Sequence, residues 1–304
     1  MRTIRNVTLV GLGAIGAAYG SRLNQVEDVN LRVVVDTERL QRYEQSGIDV
    51  NGQQMAFHYV TPDQPVDPAD FVVIAVKYDG LEQALQAVKR HVGPDTILMS
   101  LLNGIASEDD IAQVYGDRHL LHAVCVGIDA VRQGTSVQYS GIGEICFGNA
   151  TAHDLTDDVA AVKALFDRAG IPCAVHEDIQ RTMWWKFMIN VGVNQASAIL
   201  RAPYGKFQTD SHAHSVMQSL MREVLALSAA VGVDLGEDAL TQFDIVLKQL
   251  SPAGKTSMLQ DVEAGRRTEI EQLAGMVRRL GQEHGIATPV NDFVYHAIRA
   301  MENG

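Results

Sequence analysis

The sequence predicts an α/β fold in which a Rossmann-like N-terminal domain with a mainly parallel sheet is followed by an all-α C-terminal domain. Three observations predict it. Short, nearly uninterrupted apolar runs alternate with helical periodicity in the first half, as expected of parallel strands buried on both faces. The first of these runs passes directly into Gly11-Leu12-Gly13-Ala14-Ile15-Gly16. Beyond Asp178 the periodicity is helical almost to the end.

The elements follow in order. Asn6 to Val10, Leu31 to Val35, Phe71 to Val76 and Thr96 to Leu102 read as core strands. Between the second and third, the Asn51-Gly52 pair predicts a tight turn and a small hairpin over Gly47 to Phe57. Two further β-rich stretches, His119 to Ile128 and Val137 to Phe147, are separated by Arg132-Gln133-Gly134. Asp154 to Ala169 reads as a helix and Ile171 to His176 as a last strand. In the helical half, turn signals stand at Pro203-Tyr204-Gly205, Gly232 to Gly236, Ser251 to Gly254 and Gly285 to Pro289. The expected domains are therefore 1–177, dinucleotide-binding, and 178–304, helical and carrying substrate and catalytic groups. Small-molecule sites tend to lie in crevices between domains.

The 304 residues are 46% hydrophobic and carry a net charge of −12, enough apolar material for one or two cored domains. An acidic surface without a long basic run repels phosphate backbones and anionic lipid, so neither nucleic acid nor membrane is an expected partner. No apolar run reaches the roughly 20 residues that span a bilayer, and the opening Met1 to Arg5 leads straight into a strand, which predicts a cytoplasmic protein. Cys125, Cys146 and Cys173 are odd in number and widely spaced, fitting neither a disulfide framework nor a clustered zinc site. His119, His122, His212 and His214 have no third ligand at metal spacing, so no metal is expected.

Val7 to Val10 followed by Gly11, Gly13 and Gly16 is a strand, a glycine turn and a helix start, which is the context the dinucleotide fingerprint requires. Gly11 permits the tight turn, Gly13 removes a Cβ that would block the pyrophosphate, and Gly16 allows close packing. Free N–H groups at the helix start attract the anion. Leu12, Ala14 and Ile15 complete the loop. Asp36 follows 20 residues after Gly16, at the end of the second apolar strand. There it accepts hydrogen bonds from ribose hydroxyls and repels a 2′-phosphate, which favours NAD over NADP. Arg39, three residues on, offers that phosphate a partner, so both cofactors stay open. Lys77 and Asn103 close their strands at the carboxyl edge of the sheet, where ligands of open α/β folds bind.

In the helical half, Lys186, Asn190 and Asn194 recur at i, i+4 and i+8 among apolar residues. On an α-helix they drift by only about 80° and share a face. Unpaired burial of such groups costs roughly 1–3 kcal/mol each, and more for an ammonium, so they point to a ligand. Alternatively the stripe faces water while Trp184 and Trp185 pack inside, but few other polar positions would then wet that face. A second stretch, Thr256 to Ile270, contains Ser257, Asp261 and Glu269. Taken alone it is an ordinary amphipathic helix, on which Ser257 and Glu269 stand about 18 Å apart. One small ligand reaches both only if the helix bends, for instance near Gly265.

With these residues together, the chain resembles the ketopantoate reductases, or 2-dehydropantoate 2-reductases, over nearly its whole length. The resemblance rests on the loop Gly11 to Gly16, Lys77 after valine, Asn103 before glycine, the Lys186, Asn190 and Asn194 stripe, and Ser257-Met258-Leu259-Gln260-Asp261 followed by Thr268-Glu269. It implies an NAD(P)H-dependent reduction of a small 2-oxo acid to the 2-hydroxy acid. Lys186 is then the general acid and Glu269 its catalytic partner, with Glu269, Lys77 and Asn103 also near the cofactor. Asn103, Asn190, Asn194 and Ser257 hold the substrate.

Two positions depart from the family pattern. Asp36 stands where NADPH-specific members often carry a basic residue. Tyr204, in Ala202-Pro203-Tyr204-Gly205, stands where members can carry a substrate-binding asparagine. Helical second domains of this kind often associate, so a homodimer is among the expected states. Two other functions fit parts of the pattern: a β-hydroxyacid dehydrogenase of the hydroxyisobutyrate or phosphogluconate type, and a non-catalytic dinucleotide-binding sensor.

Overall fold

The computed structural model describes residues 2–150 and 156–302. Its chain divides into two compact units, Met1–Thr182 and Met183–Gly304.

In the first unit the strands are β1 (Asn6–Val10), β2 (Asn30–Val34), β3 (Ile48–Val50), β4 (Gln53–Met55), β5 (His58–Val60), β6 (Phe71–Ile74), β7 (Ile97–Ser100), β8 (Leu120–Val126), β9 (Val131–Gln133), β10 (Ser136–Gln138), β11 (Glu144–Gly148) and β12 (Cys173–Val175). Eight of them form one sheet in the order β12-β11-β8-β7-β6-β1-β2-β5. Every neighbouring pair is parallel except β11 with β8. The period-two alternation explains why the strands read as continuous apolar runs. Val7, Leu9, Phe71 and Val73 feed one buried core, and Val10, Val72, Ile74 and Leu98 feed the core on the opposite face. Chain order reverses at β1, which has β2 on one side and β6 on the other. Such a switch point opens a crevice beyond the carboxyl ends of those strands.

The hairpin expected around Asn51-Gly52 is formed by β3 and β4, with φ of 51° and 82° at the two turn residues. It belongs to a second sheet of order β4-β3-β10-β9. The β-rich run Val137 to Phe147 is two strands rather than one. Its first residues join the small sheet as β10, and its end joins the large sheet as β11. The intervening segment contains Gly141 and Gly143, and Asp129 accepts hydrogen bonds from the backbone N–H groups of Ser140 and Gly141, both at 2.9 Å. Of the helix expected from Asp154, Asp157–Ala169 is described, started by Thr156, while Asp154 and Leu155 lie outside the described residues.

In the second unit the described residues form helices and turns. A long helix, Ser211–Ala230, packs against Gln195–Leu200, Tyr204–Thr209, Met276–His284 and Pro289–Glu302, while Asp238–Gln249 packs on Tyr204–Thr209 and Ser257–Glu263 on Gln195–Leu200. Phe187, Met217, Met221, Val224, Phe243 and Leu273 are buried in its core. Among the described residues no helix is long and apolar enough to cross a membrane, and no group of three or more His, Cys, Asp or Glu side chains is placed to hold a metal. Three of the four histidines singled out in the sequence pair with protein groups: His119 with Asp158 at 2.6 Å, His122 with Gln180 at 3.1 Å and His214 with Asp244 at 2.8 Å.

Candidate active site

The glycine turn leaves β1 and enters the helix Ala14–Leu23. Gly11 takes φ +100°, and a Cβ there would lie 2.5 Å from the Ala75 carbonyl oxygen. A Cβ on Gly16 would lie 1.9 Å from the Gly11 carbonyl oxygen, so this glycine lets the helix press against the turn itself. A Cβ on Gly13 would meet only the Ala75 carbonyl oxygen, at 3.8 Å, and Gly13 borders a cavity of about 690 Å³. That cavity lies at the carboxyl ends of β1, β2 and β6, and Gly11, Leu12, Asp36 and Lys77 also line it. Ala14, Ile15 and Gly16 open the helix and do not line the cavity. Asn103 follows β7, outside the cavity lining, with Gly104 at φ +102°.

Asp36 has two tasks in the protein. Its Oδ1 accepts from the Arg39 backbone N–H at 2.7 Å, starting the helix Thr37–Ser46. Its Oδ2 pairs with the Arg39 guanidinium at 2.8 Å. Both side chains are about half exposed, 51% and 56%, so the pair is worth little as a stability term. It does orient the carboxylate at the cavity rim. Sequence reasoning missed Tyr43 and Arg132, which line the same cavity. Arg132 donates to the Leu12 carbonyl and, at 3.2 Å, to the Tyr43 hydroxyl. Nothing local in the sequence marks a hairpin arginine as a neighbour of a glycine loop so distant in the chain.

A buried acid follows Asn103 in the chain. Glu108, in the first turn of the helix Ser107–Tyr115, accepts from the Ser107 hydroxyl at 2.9 Å, and that hydroxyl is 2.8 Å from the hydroxyl of Ser100, the last residue of β7. Burial pushes the Glu108 carboxyl up to about 7, against the opposing pull of the Ser107 hydrogen bond. A carboxyl whose folded pKa exceeds its unfolded value near 4.5 contributes stability that is fully present below pH 4.5 and lost as pH rises through 7. Glu108→Gln, uncharged at every pH, should therefore match the wild type near pH 4.5 and exceed its stability at pH 8 by up to about 3 kcal/mol. Denaturant unfolding at the two pH values checks this, and equal differences at both would refute it.

In the second unit, Lys186 lies in the last turn of the helix Ile179–Ile189, and the backbone then widens into a π turn over Asn190–Asn194. Four residues of α-helix overshoot a full turn by about 40°. A π turn of about 4.4 residues makes the next four fall short by a similar amount. The drift expected for an unbroken helix is thereby largely cancelled, and Asn194 Nδ2 donates to Asn190 Oδ1 at 3.3 Å. Lys186 and Asn190 are half-buried and Asn194 is buried. Gly192 permits the π turn to lie on the long helix, since a Cβ there would be 2.4 Å from Met221 Cγ. The turn is braced by Gln195, which donates to the Val191 carbonyl at 2.6 Å and to Asn291 Oδ1 at 3.0 Å. Asn291 in turn donates to Glu223 at 2.7 Å.

Ser257 is exposed at the start of the helix Ser257–Glu263, whose cap, Thr256, is buried and accepts from the Leu259 N–H at 3.1 Å. The bend expected near Gly265 is a break. The helix ends there with Gly265 at φ +63°, and Arg266 clamps the end through Asp261 at 2.7 Å. Thr268 is then held by Glu302 Oε1, which accepts from its N–H and its hydroxyl, both at 2.7 Å. Glu269, half-buried, follows and leads into a second π turn, Glu271–Gly275, which packs on the first. The two sequence stretches singled out thus meet through adjacent π turns, a feature concentrated at functional sites. Tyr204 lies on the loop Ser251 to Gly254: its N–H donates to the Gly254 carbonyl at 3.0 Å, and a Cβ on Gly254 would be 3.0 Å from its ring. Burial pushes its phenol up.

A glycine cradle at the switch point of a parallel sheet, followed by a helical unit carrying a lysine and amide stripe, defines a nicotinamide-dinucleotide-dependent oxidoreductase. The comparisons with known proteins narrow this class. The model described as Ketopantoate reductase PanE/ApbA matches residues 7–152, and that described as Ketopantoate reductase PanE/ApbA C terminal matches residues 178–302. The chain belongs to the ketopantoate reductase family.

The 2-dehydropantoate 2-reductase of Vibrio cholerae is 28% identical over 300 residues, 98% of each chain. The crystal structure of a PanE/ApbA family ketopantoate reductase from Ralstonia eutropha JMP134 superposes with a TM-score of 0.84 at 26% identity, again over 98% of each chain. D-mandelate dehydrogenase, in a ternary structure with NADH and anilino(oxo)acetate, shares the fold with a TM-score of 0.85 at 24% identity over 98% of each chain.

Proposed function

We propose that the protein reduces 2-dehydropantoate, or a closely related small 2-oxo acid, to the 2-hydroxy acid with NADH as the reductant. The observation that carries this reading is the π turn that brings Asn190 and Asn194 into hydrogen-bond contact on the helix of Lys186, with the segment of Glu269 packed beside it. The glycine cradle and the likeness to the Vibrio cholerae 2-dehydropantoate 2-reductase support it.

When bound, the reduced dinucleotide supplies a hydride to a carbonyl carbon. The loop Gly11, Leu12, Gly13, Ala14, Ile15 and Gly16 receives the pyrophosphate, Asp36 the ribose hydroxyls, and Lys77 and Asn103 the nicotinamide end. Lys186, as an ammonium, hydrogen-bonds the substrate carbonyl oxygen and gives it a proton as negative charge grows there. Glu269, as a carboxylate, keeps that ammonium protonated and oriented. Asn190, Asn194 and Ser257 hold the substrate carboxylate and hydroxyl groups, which fixes the carbonyl for attack. The Asp36 carboxylate at the rim favours the ribose diol and opposes a 2′-phosphate, and it engages the Arg39 guanidinium that such a phosphate would otherwise recruit.

The test follows reduced-cofactor absorbance, with NADH and NADPH in parallel across a panel of 2-oxo acids and with NAD+ and NADP+ in parallel for the oxidation of 3-hydroxy acids. Turnover of 2-oxo acids with tighter NADH binding is expected. Turnover only with 3-hydroxy acids, or none with any carbonyl compound, would overturn the activity. Tighter NADPH binding would overturn the cofactor preference alone.

A further inference from the structure

We infer that Arg132 is a positioning residue for the dinucleotide, fixing the Leu12–Gly13 peptide of the phosphate loop and tying it to the ribose end of the cleft through Tyr43. This rests on the dinucleotide reading above and adds a residue 120 positions away from that loop.

Arg132 lies in β9, one of the two edge strands of the four-stranded sheet, and its side chain lines the cavity together with Gly11, Gly13 and Asp36. Its guanidinium makes three directed bonds. Nη1–H donates to the Leu12 carbonyl, Nη2–H to the Tyr43 hydroxyl at 3.2 Å, and Nε–H to the Gly134 carbonyl of its own hairpin at 2.8 Å. The guanidinium carbon also stands 5.6 Å from the centre of the Tyr43 ring, at cation–π distance.

The bond to Leu12 has a consequence for the neighbouring donor. The peptide joining Leu12 to Gly13 is planar and trans, so the Gly13 N–H points opposite to the Leu12 carbonyl. Anchoring that carbonyl fixes the direction of an N–H at the mouth of the helix Ala14–Leu23, where unpaired donors receive an anion. Tyr43 lies in the helix started by Asp36, so the same side chain couples the phosphate loop to the element that carries the ribose-binding carboxylate. Of the five guanidinium N–H groups two remain, leaving charge and donors at the cavity wall. An ammonium has no planar fork and cannot make this set of bonds in the same geometry.

The test compares wild type, Arg132→Ala, Arg132→Lys and Tyr43→Phe by titration with NADH and with ADP-ribose, which lacks the nicotinamide, alongside thermal unfolding and steady-state kinetics. Arg132→Ala is expected to weaken both ligands by about 10- to 100-fold. Arg132→Lys should stay within about threefold of the alanine variant, because charge alone does not restore the fork. Tyr43→Phe should weaken both by about 3- to 10-fold. The kcat at saturating NADH and the KM for the 2-oxo acid should change by less than about threefold, since only cofactor binding is altered. Wild-type affinity in Arg132→Lys, or in Arg132→Ala, would overturn the inference. If Arg132→Ala does not fold, Arg132→Lys and Tyr43→Phe decide it by the same criteria. Wild-type protein binding neither ligand would instead overturn the dinucleotide reading on which the inference rests.

Discussion

Lys186→Ala will lower kcat/KM for the 2-oxo acid by about 10²- to 10⁴-fold, the contribution of a positioned general acid. On the proposed mechanism, hydride addition turns a neutral carbonyl into an alkoxide, and the Lys186 ammonium both offsets that charge and supplies the proton. The deletion removes both functions but leaves the glycine loop and Asp36 intact, so the NADH dissociation constant should move by less than about threefold, an effect confined to the transition state. Lys186→Arg sharpens the test. Arginine keeps the positive charge and the donors, yet it does not give up a proton in the working pH range. It should therefore recover only a minor part of the lost rate. Steady-state kinetics with a parallel NADH titration separates these effects, and full activity in either variant would refute the assignment of Lys186.

Gly16→Ala has the second large effect, and it acts on the fold of the cradle. The added Cβ would sit 1.9 Å from the Gly11 carbonyl oxygen and 3.1 Å from Ala75 Cβ, and the first of these neighbours is backbone that cannot rotate away. Relief requires the helix Ala14–Leu23 to shift off the turn, at a cost of about 1–3 kcal/mol or more. NADH affinity should fall by at least about 100-fold as the N–H groups lose their common aim. Gly13→Ala provides the contrast. Its Cβ has room, with the Ala75 carbonyl oxygen 3.8 Å away, so stability should be nearly unchanged while the methyl obstructs the approach of the pyrophosphate. Denaturant unfolding with NADH titration distinguishes the two. Equal stability losses in both variants would contradict this account of the turn.

The legible parts of the molecule were those in which one short segment carries both signal and structure. The apolar runs became parallel strands because each was buried on both faces, and the glycine loop kept its spacing because backbone approaches below 3 Å admit no Cβ at Gly11 or Gly16. Asn51-Gly52 marked its hairpin through the positive φ values it takes. Other features depended on information that no local window holds. The spacing of Lys186, Asn190 and Asn194 fits an α-helix as well as a helix interrupted by a π turn. The choice is visible only in the packing of Gly192 against Met221 and in the brace from Gln195 to Asn291 and Glu223. Val137 to Phe147 has strand composition throughout, yet its two ends pair with different sheets. Glu302 and Arg132 carry no motif, and their partners, Thr268 and Leu12, lie 34 and 120 positions away.

The most direct test of the central claim follows the hydrogen itself. NADH carrying deuterium at both C4 positions is incubated with 2-dehydropantoate and the protein, and the product is examined by mass spectrometry and NMR. The account predicts one deuterium bonded to C2 of the 2-hydroxy acid, formed in step with NADH oxidation. Protein that binds NADH yet transfers no label to 2-dehydropantoate or to any other 2-oxo acid would contradict it.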